Sequence, residues 1–280
     1  MIRRIGGHVS TSGGLLNAIS NTEKIGGNCM QIFAGSPRMW SRSLYDHSLA
    51  KSFRDKAEAK DLFPVYIHAL YLTNLASNDP ELRAKSREAL ITDMTNSAAI
   101  NSSGVVLHIG SHQGRGFDQV KNTVAEEIRA VLESTPSTSL LLLENSAGQQ
   151  GKIGALPELN TLLSFLDSSR VKICLDTAHA FESGYDLRTE EGLALFLSDI
   201  KKHLGLENLS LLHLNDSRTK LASAHDQHEN IGDGYIGSSG LGRVVNHPDL
   251  AHLPLILEVP GVDKSGPDKA NIARVRDLLG

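Results

Sequence analysis

Short, almost wholly apolar runs recur along the chain near residues 5–10, 29–34, 65–70, 104–110, 140–145, 171–177, 209–216 and 253–260, and they have the length and residue types of strands. Between them lie segments in which apolar residues return every three or four positions, the period of an amphipathic helix. These include Leu49 to Lys60, Glu81 to Ile100, Val120 to Glu133, Leu156 to Leu166 and Glu190 to Leu204, with a last one from Lys269 to Leu279. Strand-like and helix-like segments alternate from end to end, the signature of a parallel sheet built from βαβ units. Eight such strands predict an α/β fold, a (β/α)8 TIM barrel that the last helix would close.

A length of 280 residues suits one barrel. No charge block, repeat or low-complexity tract marks a linker, so residues 1–280 are expected to form a single domain. With 40% hydrophobic and 21% charged residues the composition is that of a soluble globular protein. The two cysteines, Cys29 and Cys174, sit in apolar runs and are expected to be reduced core thiols, which points to an intracellular, cytoplasmic location. The chain starts directly on a strand pattern, and no stretch is long and apolar enough for a membrane span.

Six of the runs end in a residue able to bind metal: VYIHAL at His68, VVLHIG at His108, LLLLEN at Glu144, VKICLD at Asp176, LLHLND at His213 and LILEVP at Glu258. Any one of these could cap a helix or satisfy a backbone group. Six together belong on one rim of a barrel, where this fold keeps its chemistry. Imidazole and carboxylate in combination suit zinc, and six ligands exceed one catalytic zinc site, so two metals sharing a carboxylate are expected. His179 follows Asp176 by three residues. The longest loop, SRTKLASAHDQHENIGDGYIGSSG after strand seven, holds Asp226 and His228 in a D-x-H pair. With His179 these make a third ligand set.

The runs HVSTSGG, HALYLTNL, HIGSHQG, LENSAGQ, CLDTAHAFESGYDLRT, HLNDS, HDQHENIGDGYIG and LILEVPG resemble the endonuclease IV family of zinc-dependent apurinic/apyrimidinic endonucleases, in order and over nearly the whole chain. The resemblance implies a barrel with three zinc ions in its rim. Glu144 would bridge two of them, His68 and His108 completing the first and Asp176, His213 and Glu258 the second. His179, Asp226 and His228 would hold the third, and Mn2+ is a possible substitute for Zn2+. The implied reaction is hydrolysis of the phosphodiester 5′ to abasic sites in duplex DNA by a metal-generated hydroxide, leaving a 3′-hydroxyl and a 5′-deoxyribose phosphate. Glu144, Asp176 and Glu258 would be its catalytic carboxylates, and Arg38, Tyr71 and Leu72 its DNA-binding contacts at an unstacked base step. A net charge of −4 argues against a nucleic-acid binder on its face, but three divalent ions would turn it to +2.

Three positions depart from the family pattern. It commonly has Arg on both sides of the loop aspartate, where Ala224 and Gln227 stand here. Gln150 replaces a usual Gly. Among the other histidines, His8 is expected beside the pocket in a supporting or packing role and His112 within reach of phosphate. His47, His203, His225, His247 and His252 are expected in solvent. A monomer is expected. The alternative function is a metal-dependent sugar isomerase or epimerase of the same barrel type, which would need neither the third ligand set nor wedge residues.

Overall fold

In the computed structural model, which describes residues 2–280, the apolar runs form a closed parallel barrel. Its strands are β1 (Ile5–His8), β2 (Cys29–Phe33), β3 (Val65–His68), β4 (Gly104–Leu107), β5 (Leu141–Glu144), β6 (Val171–Asp176), β7 (Leu209–His213) and β10 (Leu255–Leu257). Each pairs with its neighbour in the chain order of the barrel, and β10 closes on β1 with Leu255 opposite Ile5. Between β7 and β10 a short antiparallel pair, β8 (Asp216–Ser217) and β9 (His228–Glu229), breaks the βα rhythm.

The helices are α1 (Asn17–Ile25), α2 (His47–Ala59), α3 (Pro80–Ala99), α4 (Phe117–Glu133), α5 (Leu156–Leu166), α6 (Thr177–Glu182), α7 (Glu190–His203), α8 (Gly237–Asn246) and α9 (Lys269–Leu278). Packing fixes most of the longer ones through one buried face. In α4, Val120, Val124, Ile128 and Val131 recur at three- and four-residue spacing and are buried, and each such side chain contributes roughly 1.5–3 kcal/mol when removed from water. Caps set the starts: the carboxylates of Asp46, Asp79 and Asp268 and the hydroxyl of Thr189 each accept a backbone N–H of the first turn of α2, α3, α9 and α7 respectively.

Side chains two positions apart on a strand point the same way, and this rule builds the site. Cys29, Tyr66, Val106, Leu142, Cys174, Leu211 and Ile256, one from every strand but β1, form a separate buried cluster inside the barrel. Both cysteines are free thiols in it. Strand β1 contributes Gly6 at this level, where a Cβ would stand 1.8 Å from the Cys29 carbonyl oxygen. Only glycine fits there. Two residues further along each strand come His8, Gln31, His68, His108, Glu144, Asp176, His213 and Glu258. The apolar floor therefore carries a polar layer at the strands' C-terminal ends.

The structure differs from the expected elements in four places. Strand β4 stops before His108 and β10 before Glu258, so these two residues start loops. Helix α1, with the polar sequence NAISNTEKI, gave too weak an apolar period to be expected. Helix α6 begins directly at the end of β6, with the Asp176 carboxylate capping the His179 N–H at 2.9 Å. The stretch 217–240, expected as one loop, holds β9 and the first turn of α8, whose GSSG start looks like loop chemistry. Among the described residues no helix is long and apolar enough to cross a membrane.

Candidate metal centre

Glu144 stands at the middle of the polar layer, 1% exposed. One of its oxygens, Oε2, lies 2.8 Å from His108 Nε2 and 3.5 Å from His68 Nε2; the other, Oε1, lies 3.0 Å from His213 Nδ1. The two oxygens of a single carboxylate thus face two different sets of imidazoles. Glu258 Oε2 approaches the same His213 nitrogen at 3.3 Å, and Asp176 Oδ2 lies 3.8 Å from it. Asp176 Oδ2 also lies 3.7 Å from His228 Nε2, and Asp226 Oδ1 lies 3.2 Å from His179 Nε2 and 3.6 Å from His228 Nε2.

Three groups of ligand-type atoms, each mutually within 4.8 Å, follow from this: His68, His108 and Glu144; Glu144, Asp176, His213 and Glu258; and Asp176, His179 and His228. Asp226 reaches the third group through its two histidines, and Asp176 joins the second to the third. Cys174 forms a further group with Glu144 and His213; its thiol is pushed up to about 12 by burial, a poor ligand state near neutrality.

The second nitrogen of each imidazole decides what the first can do. His68 Nδ1 lies 2.8 Å from the Ala69 carbonyl, His179 Nδ1 2.9 Å from the Asn145 carbonyl and His228 Nδ1 3.3 Å from the Glu258 carbonyl. A carbonyl only accepts, so these nitrogens carry the protons and Nε2 is left free. His213 is fixed by Gln31. The Gln31 amide nitrogen donates to the Glu258 carboxylate at 2.6 Å, which turns its oxygen toward His213 Nε2 at 2.8 Å. His213 Nε2 therefore donates, and its Nδ1 faces the carboxylates of Glu144, Glu258 and Asp176.

Such an arrangement calls for a cation. His68 Nε2, His179 Nε2, His228 Nε2 and Glu144 Oε2 are buried and make no hydrogen bond in the protein, and orphaned buried polar atoms of this kind need a partner. The donor set, imidazole nitrogen with carboxylate oxygen, is the one zinc takes. Electrostatics agree. Burial would push the Glu144 and Glu258 carboxyls up, but the facing imidazoles, His108 and His213 for Glu144 and His213 and His8 for Glu258, hold both well below the ordinary range. His179, despite its burial, is held well above the usual imidazole value by Asp176 and Asp226. A cavity of about 70 Å3 opens between His108, Glu144, Asn145, His179 and Asp226.

Amides do much of the positioning, and these the sequence reading missed. Asn145 accepts the Asp176 N–H at 2.6 Å and Asn215 donates to Asp176 Oδ2 at 2.7 Å while accepting the Glu258 N–H at 2.7 Å. Gln31 could have been found: it is the polar residue in CMQIF that follows the same two-residue step from the floor as the six ligand-type strand ends. His8 takes the corresponding place on β1, its Nδ1 3.1 Å from Glu258 Oε1.

The expected DNA contacts lie on the rim. Tyr71 is 57% and Leu72 40% exposed, with the Tyr71 ring 5.0 Å from Phe33 and 5.4 Å from His68. Arg38 is exposed in the segment after β2, which with His8 and Phe33 walls a cavity of about 700 Å3. His112 is tied into its own loop, where Nδ1 accepts the Gly116 N–H at 3.1 Å. His47, His225 and His252 are exposed, and His203 and His247 are half-buried rather than fully in solvent.

Residues 19–279 match the family described as xylose isomerase-like TIM barrels. The chain is 41% identical to a probable endonuclease 4 of Halothermothrix orenii, with 95% of this chain and 96% of that one aligned. It is 39% identical to a probable endonuclease 4 of Methanoculleus marisnigri over 99% of both. The crystal structure of endonuclease IV from Thermus thermophilus superposes with a TM-score of 0.85 at 34% identity, covering 98% of this chain and 97% of the other. A 3-keto-D-glucoside 4-epimerase from E. coli shares the fold with a TM-score of 0.68 at 14% identity over 99% of both chains.

Proposed function

We propose that this chain, which belongs to the endonuclease IV family within the xylose isomerase-like TIM barrels, is a zinc-dependent DNA-repair hydrolase that cuts duplex DNA on the 5′ side of abasic sites. The observation that carries the proposal is the convergence of nine donors on one rim in three groups linked by the carboxylates Glu144 and Asp176. His68 and His108 would hold one ion with Glu144. Asp176, His213 and Glu258 would hold a second with it, and His179, Asp226 and His228 a third, with Mn2+ able to replace Zn2+ at such mixed donors. Bound ions would supply Lewis-acid polarisation of the phosphodiester and a nucleophile at neutral pH.

The chain's own residues do the rest. Glu144, Asp176 and Glu258 fix the spacing of the cluster, since each is locked by imidazoles or amides on both oxygens or at its backbone. Tyr71 and Leu72, exposed beside the cluster, and Arg38, exposed in the segment after β2, would enter the base stack at the lesion. A rim pocket cannot reach a nucleotide inside the duplex, so the abasic sugar must turn out, which the missing base makes cheap. The products are a 3′-hydroxyl and a 5′-deoxyribose phosphate. All nine donors come from one chain, and a monomer suffices for the reaction.

The test is incubation with a duplex oligonucleotide carrying one stable abasic analogue, before and after zinc chelation, with metal content measured in parallel. Cleavage 5′ to the lesion that chelation abolishes and zinc restores is expected. An intact duplex together with a single ion per chain would overturn the proposal.

A further inference from the structure

Glu182 is fully buried at the C-terminal end of α6, one turn beyond His179, and no role has so far fallen to it. Its carboxylate gathers the loop that follows β8. The Ser217 hydroxyl donates to Oε1 at 2.7 Å, the Thr219 hydroxyl at 3.2 Å and the Gln227 N–H at 3.3 Å. These contacts come from both ends of the excursion, whose base is closed by the pairing of Ser217 with His228 and by the Arg218 N–H on the Gln227 carbonyl at 2.9 Å.

The loop needs this support. Ala222 and Ala224 have φ of 58° and 55°, a left-handed conformation that a residue with a Cβ holds only where its surroundings over-determine it. The surroundings are again the end of α6: the Ala222 N–H bonds to the Phe181 carbonyl at 3.2 Å and the Ala224 N–H to the Glu182 carbonyl at 3.0 Å. No Lys or Arg occurs in the segment LASAHDQHE, residues 221–229, that could tie it down by charge.

We infer that Glu182 is the positioning residue for Asp226 and His228, its buried carboxylate pinning their loop to the same short helix that carries His179. The inference rests on the assignment of Asp226 and His228 to the third metal, and it makes that ion's affinity depend on a residue that never touches it. Because α6 is capped by Asp176 and ends at Glu182, one short element sets the distance between strand-borne and loop-borne donors.

Two variants of Glu182 and two measurements test it, with a third variant, at Ser217, in reserve. In metal-free protein, Glu182→Ala should speed amide hydrogen exchange across residues 218–228 and leave the barrel strands unchanged. In metal-loaded protein at buffered free zinc, the same variant should bind one of its ions about tenfold or more weakly, as loss of an outer support typically does. Glu182→Gln, which keeps an acceptor oxygen, should restore both readouts to near wild type. Glu182→Ala with wild-type exchange and wild-type zinc affinity would overturn the inference. If Glu182→Ala does not fold, Ser217→Ala, which removes the shortest donor to the carboxylate, decides: faster exchange over 218–228 supports the inference and unchanged exchange overturns it. The exchange arm needs no metal, so wild-type protein that binds fewer than three ions would sink the third-metal assignment while leaving the loop measurement to be judged separately.

Discussion

The donors of this site are held by two different kinds of structure. His68, Glu144, Asp176 and His213 lie at strand ends, at most 1% exposed, above an apolar floor that the closed barrel fixes from every side. Asp226 lies on the excursion between β8 and β9 and His228 at its end, the first residue of β9, with side chains 35% and 14% exposed, and a few hydrogen bonds tie the excursion to α6. A strand of the barrel cannot slip by one residue without turning its own floor and donor side chains to the wrong face. The loop can loosen by breaking two or three contacts. On the proposed assignment, ions held by strand-end donors should therefore be part of the protein's stability, and the ion held through Asp226 and His228 the one that responds to small changes.

Glu144→Gln and Asp226→Asn break the comparison most directly. The first removes the charge shared by two groups and is expected to lower cleavage of an abasic duplex on the order of a thousandfold, with two ions lost or weakened and the fold retained by circular dichroism. The second should release one ion and cost on the order of a hundredfold. Equal metal loss in the two variants would mean that the loop is as integral to the cluster as the strands are.

Less severe are changes to the amides that hold the strand-borne donors. Gln31→Leu keeps the volume but lets His213 adopt the other tautomer and leaves Glu258 short of a hydrogen bond; Asn215→Ala frees both Asp176 and the Glu258 backbone. Each is expected to weaken metal binding by roughly 10–100-fold, measured by competition with a chromophoric chelator. A loss confined to kcat with unchanged metal affinity would place these amides in the reaction itself and not in its support.

The same division explains what could be seen in the sequence. The eight strands were legible because buried parallel strands are apolar on both faces and need no alternation, and the strand-end donors were legible because they interrupt those runs. Helix α1 was not, since NAISNTEKI buries only Ala18, Ile19, Thr22 and Ile25. Helix α8 was hidden by its GSSG opening. Gln31, Asn145 and Asn215 went unnoticed because an amide is not a metal ligand and shows its part only when its partners are in place. Glu182 carries no mark of its part in the sequence; its burial under the loop is a product of tertiary structure alone.

The smallest effect concerns two buried acids, one on each side of the comparison. Asp93 on α3 is fully buried, and burial pushes its carboxyl up to about 7 although Arg42 stands 3.6 Å away; Glu182 is pushed up to about 7, again chiefly by burial. A raised carboxyl binds its proton more tightly in the folded state than in the unfolded chain. It therefore contributes stability that is complete below the unfolded value near 4 and is lost as pH rises through about 7. Metal-free protein should accordingly lose some thermal stability between pH 5 and 8. In Asp93→Asn, whatever its absolute stability with Arg42 left unpaired, the slope over that range should flatten, because Asp93 sits within the barrel wall and reports on global unfolding. In Glu182→Gln the melting slope should stay close to wild type, and the change should appear instead in the protection factors of residues 218–228, which should lose the pH dependence that remains in wild type after correction for intrinsic exchange. A global slope carried by Glu182 and indifferent to Asp93 would show that the loop unfolds only with the barrel, and that the two kinds of support are one.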